Sequence, residues 1–156
     1  RESIWILKED AIKWDAFILK VHRLLEDFLV PESGITFRVE NKPGLDAWLT
    51  PWQAVNLLRV LQEGLQNILK HAAATEVTVH FKATGSQAEV QLCDNGRGID
   101  YEACKGNGCG MQNIARRVEH LGGSFSIKSP ATGGTVLQIS FTLQLTENGA
   151  NALMPQ

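Results

Sequence analysis

The sequence predicts an α/β (α+β) fold: a two-layer sandwich whose mixed, mostly antiparallel sheet is covered on one face by three helices. Three observations carry this. Five segments read as strands, the clearest of them alternating apolar and polar residues. Three others place apolar residues at three- and four-residue steps, as amphipathic helices do. Their order is helix, strand, helix, two strands, a glycine-rich loop, helix, two strands, which gives the helices one sheet face to cover.

The first helix lies in the second half of 3–29, where Trp14, Phe17, Ile18, Val21, Leu24, Leu25 and Phe28 recur at helical steps. Pro31-Glu-Ser-Gly34 ends it. Ile35-Thr-Phe-Arg-Val39 alternates as a half-buried strand does, and Asn41-Lys-Pro-Gly44 is a turn. Thr50 as N-cap with Pro51 at the first helical position starts a central helix that runs to about Ala73. Its inner side is Ala54, Leu58, Leu61, Leu65, Ile68 and Ala72. Glu76 to Phe81 and Glu89 to Cys93 form a hairpin across Thr84-Gly-Ser-Gln87, with Val77, Val79 and Phe81 on one face. Met111 to Leu121 is the third helix, with Met111, Ile114, Ala115, Val118 and Leu121 inward and Gly122-Gly123 closing it. Ser124 to Lys128 and Thr135 to Leu143 are the last strands, joined by Pro130-Ala-Thr-Gly-Gly134. Thr146 to Gln156 has no periodicity and reads as a tail.

At 156 residues the chain fits one domain with a real core. A net charge of −2 gives no basic field for nucleic acid and no polybasic run for an anionic membrane. No run reaches the roughly 18 apolar residues that a membrane span needs. The chain starts at Arg1 without a signal-peptide pattern, and the expectation is a fragment of a longer protein. Cys93, Cys104 and Cys109 suit neither a disulfide framework nor a zinc site, so free thiols in the cytoplasm are expected.

Opposite the inner side of the central helix, Asn56, Arg59, Glu63, Asn67 and Lys70 fall within about 40° of one line, with His71 at the margin. A carboxylate, a carboxamide, an ammonium and an imidazole so spaced form either a solvated face or a site. Asp94-Asn-Gly-Arg-Gly98 at a strand end is either a tight turn or a place where a flat or anionic ligand approaches the backbone. There Asp94 would accept from an exocyclic amine. Gly106-Asn-Gly-Cys-Gly110 before a helix exposes N–H groups that favour an anion such as phosphate. It matches neither the P-loop, since no Gly-Lys-Ser/Thr follows, nor the Rossmann pattern, whose third glycine would fall at Asn113.

Glu63-x3-Asn67-x2-Lys70-His71, then Asp94-x-Gly96-x-Gly98, then Gly106-x-Gly108-x-Gly110, then Gly134-Thr135 leading a terminal strand form an ordered set of four motifs. The set resembles the ATP-binding catalytic domain of sensor histidine kinases, in the gyrase/Hsp90/histidine-kinase/MutL ATPase superfamily with its Bergerat-type fold. Leu58 to Ala72 looks like the N box of the subgroup paired with helix-turn-helix response regulators. Gly108 to Gly123 looks like that subgroup's G2 box and following helix. The resemblance covers roughly Gly34 to Leu143.

The resemblance implies ATP and Mg²⁺. Asn67 would coordinate Mg²⁺, Lys70 would contact a phosphate, and His71 would lie near the sugar or base. Glu63 would be the catalytic residue, orienting or deprotonating the phosphoacceptor imidazole. Asp94 would bind the adenine amine with Gly96, Gly98 and Ile99 around the base, and Thr135 would fix Asp94 through water. Gly108, Cys109, Gly110 and Met111 would line the phosphates under a short lid, Ile99 to Asn107. Two departures stand out: Cys109 stands where Leu is commoner, and the Phe-containing box of longer-lidded kinases is missing.

The same resemblance implies an upstream dimerisation and phosphoacceptor domain, residues 1–30 leading from it, 31–145 as the ATP-binding domain and 146–156 as a flexible tail. The full-length partner set would be that domain in a homodimer and, indirectly, a response regulator, with no nucleic acid and no direct membrane contact. The parent would be cytoplasmic in this part and open to membrane anchoring elsewhere. His22, followed by Arg23-Leu24, does not read as the phosphoacceptor, His80 reads as the solvent side of a strand, and His120 suits a helix C-terminus. The fragment is thus expected to bind ATP and not to autophosphorylate alone. An anti-sigma-type serine kinase and a non-catalytic nucleotide-binding module are the alternatives. Lys70-His71-Ala72 and Gln62-Glu63 favour the sensor kinase over the first, and intact Glu63, Asn67 and Lys70 count against the second.

Overall fold

A computed structural model describes residues 10–41, 47–98 and 110–144. Within them the chain forms β1 (Ile12–Lys13), α1 (Trp14–Phe28), β2 (Thr36–Asn41), β3 (Trp48–Leu49), α2 (Pro51–Asn67), β4 (Glu76–Thr84), β5 (Gln87–Asp94), α3 (Met111–His120), β6 (Ser124–Lys128) and β7 (Thr135–Thr142). The main sheet has the order β2-β4-β5-β7-β6. Only its β2–β4 pair is parallel. That pair is joined through α2, the crossover that parallel strands require. The expected mixed, mostly antiparallel sheet with three helices is the observed one.

Register places one apolar row above another on the inner face. Val79 lies opposite Leu92 and Leu92 opposite Leu137, while Phe81 lies opposite Val90 and Val90 opposite Ile139. All six are buried. The outer face is polar, with Gln91 Nε2 donating to Gln138 Oε1 at 2.8 Å and His80 paired to Glu40 at 3.0 Å. The alternation read from the strands therefore describes a sheet covered on one side only. Trp14 and Phe17 of α1 meet the ring of Phe81 edge-on, so α1 shares the core of the rest of the chain.

The start of α2 follows its sequence signals. Thr50 Oγ1 accepts from Gln53 N at 3.0 Å and Gln53 Oε1 accepts from Thr50 N at 3.2 Å, a capping box with Pro51 in the first turn. Gln53 is 0% exposed, and its Nε2 donates to Thr142 O at 2.9 Å, fastening the helix to β7.

Four differences have physical causes. The pair β1–β3 is two residues per strand, too short to leave a period in the sequence. The central helix becomes a π turn over Ile68–Ala72 before Ala73. Asn56, expected on the wet face, is 0% exposed because α3 packs over it: its Nδ2 donates to Trp52 O at 2.9 Å and its Oδ1 accepts from Arg117 at 3.3 Å. Ala115, expected inward, is exposed, since it sits about 80° around the helix from the centre of the buried Met111, Ile114, Val118 and Leu121 stripe. The turn after Asn41, the lid 99–107, Cys104 and the tail 146–156 lie outside the described residues.

Candidate functional site: a pocket between the central helix and the sheet

The C-terminal end of α2 forms one side of the site. An α-helix advances about 100° per residue, whereas a π turn closes i to i+5 rings and advances less. His71, four residues after Asn67, would be its neighbour in either geometry; the π turn rotates it further toward the Asn67 line, and both stand in the wall of a pocket. Lys70, aligned with Asn67 by the regular wheel, is exposed and does not line that pocket.

The end of β5 forms the other side. Asp94 Oδ1 accepts from Gly96 N at 2.8 Å, and the Thr135 N–H donates to the same carboxylate. Burial nonetheless pushes the Asp94 carboxyl above the ordinary carboxylate range, with those two N–H groups opposing it. The loop after it is laced on two sides. Asn95 Oδ1 accepts from Thr75 N and Glu76 N, both at 2.9 Å, and Gly134 N donates to Gly96 O at 2.9 Å. Gly134 has φ +82, and a Cβ on it would strike the Asp94 carbonyl, so only glycine fits this crossing.

Between the two sides is a slot that opens to solvent. Asp94, Gly98 and Thr135 line it from the sheet side, and Asn67 and His71 from the helix side. Ile68, Leu92, Met111, Ile114, Ile127 and Leu137 supply apolar walls. One carboxylate at the edge of an apolar slot suits a flat heteroaromatic ring that carries an exocyclic N–H donor. The described residues hold no cluster of three or more His, Cys, Asp or Glu that could bind a metal by themselves. A hard cation that keeps its waters and takes one carboxamide oxygen fits such a site when phosphate oxygens supply the rest. Burial, then Asp94 and Glu40, hold the neighbouring Cys93 thiol above its usual pKa, which disfavours the thiolate.

Glu63 lies outside the pocket, in an adjoining polar groove with Arg59, Arg116 and Arg117. Its carboxylate packs where a Cβ on Gly110 would go, against the N-terminus of α3, which favours negative charge. Of the residues singled out from sequence, the pocket gathers Asn67, His71, Asp94, Gly98, Met111 and Thr135. Gly96 instead abuts Ala72, and Ile99, Gly108 and Cys109 lie outside the described residues. Sequence reasoning missed Gly64, which lines the pocket from mid-helix and has Leu92 where its Cβ would stand. An isolated glycine inside an otherwise strong helix pattern was the available signal. Leu92 and Leu137 were legible only as strand core.

Residues 53–147 match the family model described as "Histidine kinase-, DNA gyrase B-, and HSP90-like ATPase". The chain is 29% identical over 96 residues to the sensor histidine kinase LiaS of Bacillus subtilis, covering 62% of this chain and 27% of LiaS. It is 33% identical over 94 residues to the nitrate/nitrite sensor protein NarX of Escherichia coli, covering 60% of this chain and 16% of NarX. The chain thus spans about a quarter or less of these curated relatives. Among solved structures, the histidine kinase domain of a blue-light activated kinase from Erythrobacter litoralis superposes with a TM-score of 0.68 at 20% identity, over 81% of this chain and 61% of that one. At that identity the likeness speaks for the fold.

Proposed function

The chain belongs to the histidine kinase-, DNA gyrase B- and HSP90-like ATPase family, and from that premise we propose that it is the ATP-binding catalytic domain of a sensor histidine kinase, handing the γ-phosphoryl group to a histidine on another domain. The observation that carries the reading is an apolar slot lined by the Asp94 carboxylate from the sheet and by Asn67 and His71 from the end of the central helix. Asp94 accepts from the adenine amine, and the slot's hydrocarbon walls exclude water and hold the ring. Asn67 gives its carboxamide oxygen to Mg²⁺, which neutralises phosphate charge when bound. Lys70 reaches a phosphate from the exposed side of the π turn. Glu63 takes the imidazole proton as the acceptor approaches through the polar groove, so catalysis is positioning plus charge neutralisation.

In this reading residues 31–145 are the nucleotide domain, 1–30 lead from an upstream phosphoacceptor domain, and 146–156 form a tail. The parent is a homodimer that serves a response regulator, with this part in the cytoplasm. No described helix is long and apolar enough to cross a membrane.

The test is a thermal melt with Mg²⁺–ATP and with Mg²⁺–GTP. Ligand at about 100 times its dissociation constant adds roughly 2.7 kcal/mol, or about 5–10 °C for a domain of this size. A shift with ATP alone is expected. Equal shifts would remove the adenine assignment, and no shift at millimolar ATP would remove nucleotide binding.

A further inference from the structure

We propose that Arg97 is a positioning residue that fixes one wall of the pocket against the other by capping the central helix from outside it. A helix ends on carbonyls that lack intrahelical partners. Here the end is a π turn followed by Ala73 at φ 54, a left-handed conformation in a residue other than glycine. The local sequence supplies no glycine to relieve it. The carbonyls find their partner 26 residues away: Arg97 Nε donates to His71 O at 2.6 Å, and Arg97 N donates to Ala72 O at 2.8 Å. The first bond is charge-assisted and sits at the negative end of the helix dipole. Gly96 makes the approach possible, because a Cβ there would overlap the Ala72 carbonyl.

The consequence lies in what else this loop holds. Asp94 is three residues upstream of Arg97, and the turn that Arg97 grips puts His71 in the pocket wall. A regular α-helical turn would carry His71 to a different angle. Arg97 therefore selects the π geometry and ties Asp94 to Asn67 and His71 as one unit, so that both ends of a nucleotide fit at once. The inference rests on the nucleotide reading above.

The experiment compares the unsubstituted chain with Arg97→Met, which keeps the stem and loses the donor, and Arg97→Lys. Amide chemical shifts follow titration with Mg²⁺–ATP and, separately, with adenosine, and a melt checks each fold. Arg97→Met is expected to weaken Mg²⁺–ATP by about tenfold and adenosine by less than about twofold, with Lys recovering part of the loss. Unchanged Mg²⁺–ATP affinity would overturn the proposal. So would an equal loss for both ligands, which marks general loosening rather than positioning. If the unsubstituted chain binds neither ligand, the nucleotide reading falls and takes this proposal with it, an outcome read from the control alone.

Discussion

The two ends of the central helix solve the same problem by opposite means. At the start, orphan N–H groups are met within four residues by Thr50 and Gln53, and the turn is regular. At the finish, the helix widens, the next residue is left-handed, and the carbonyls are met by a loop from beyond a hairpin. The regular end is far from the pocket and the irregular end lines it. Where a helix only has to begin, local chemistry suffices. Where it has to present side chains to a ligand, its geometry is borrowed from tertiary contacts, and irregular turns of this kind collect at functional sites.

Substitutions at the two ends sharpen this contrast. The largest expected effect is at Gly96. An added methyl would meet the Ala72 carbonyl, and backbone cannot swing aside as a side chain can. Gly96→Ala should therefore cost on the order of 3 kcal/mol in urea unfolding and erase the Mg²⁺–ATP thermal shift. Survival of both would mean that the loop and helix end are not coupled.

Asp94→Asn comes next, with the fold retained and Mg²⁺–ATP affinity, followed by calorimetric titration, lowered roughly tenfold to a hundredfold. Its effect on the empty domain runs the other way. A carboxyl whose pKa is raised on folding favours the folded state below the unfolded pKa, and that gain is lost as pH rises through the raised value. At neutral pH the empty Asn variant should thus melt no lower than the parent. Any advantage should vanish on acidification as Asp94 itself becomes neutral.

At the regular end, Thr50→Ala should cost about 1 kcal/mol, seen as a melting point lower by about 2–4 °C, with nucleotide affinity untouched. The smallest effect is at the irregular end. Ala73→Gly should relieve the left-handed strain and stabilise by about 0.5–1 kcal/mol in the same assay. A loss there would mean that the φ of Ala73 is not strained in place.

This contrast also marks how far the sequence was legible. Thr50-Pro51, the alternation of Val77, Val79 and Phe81, and the glycines after His120 are local signals, and each produced the expected element. That Asn67 and Asp94 belong together was legible through the ordered motifs that carry the family resemblance, and both line the pocket. The burial of Asn56 was not legible, because its partner Arg117 is 61 residues away on another helix. Nor were the π turn and the task of Arg97, since a helical wheel assumes the regularity that this segment abandons. Asn95 and Gly96 were read as a turn or a ligand approach. Their side chain and their missing side chain also fasten this loop to the backbone of 72–76, which the sequence did not show.

Gln53 carries a consequence of another kind. Its side chain accepts at one terminus from Thr50 N, donates at the other to Thr142 O, and has no contact with water. Putting a carboxylate in place of that one amide, as Gln53→Glu does, would turn an oxygen toward the Thr142 carbonyl and bury an anion beside it. A change of one atom there would therefore part the sheet from the helix that bears the pocket, at a point remote from the pocket itself.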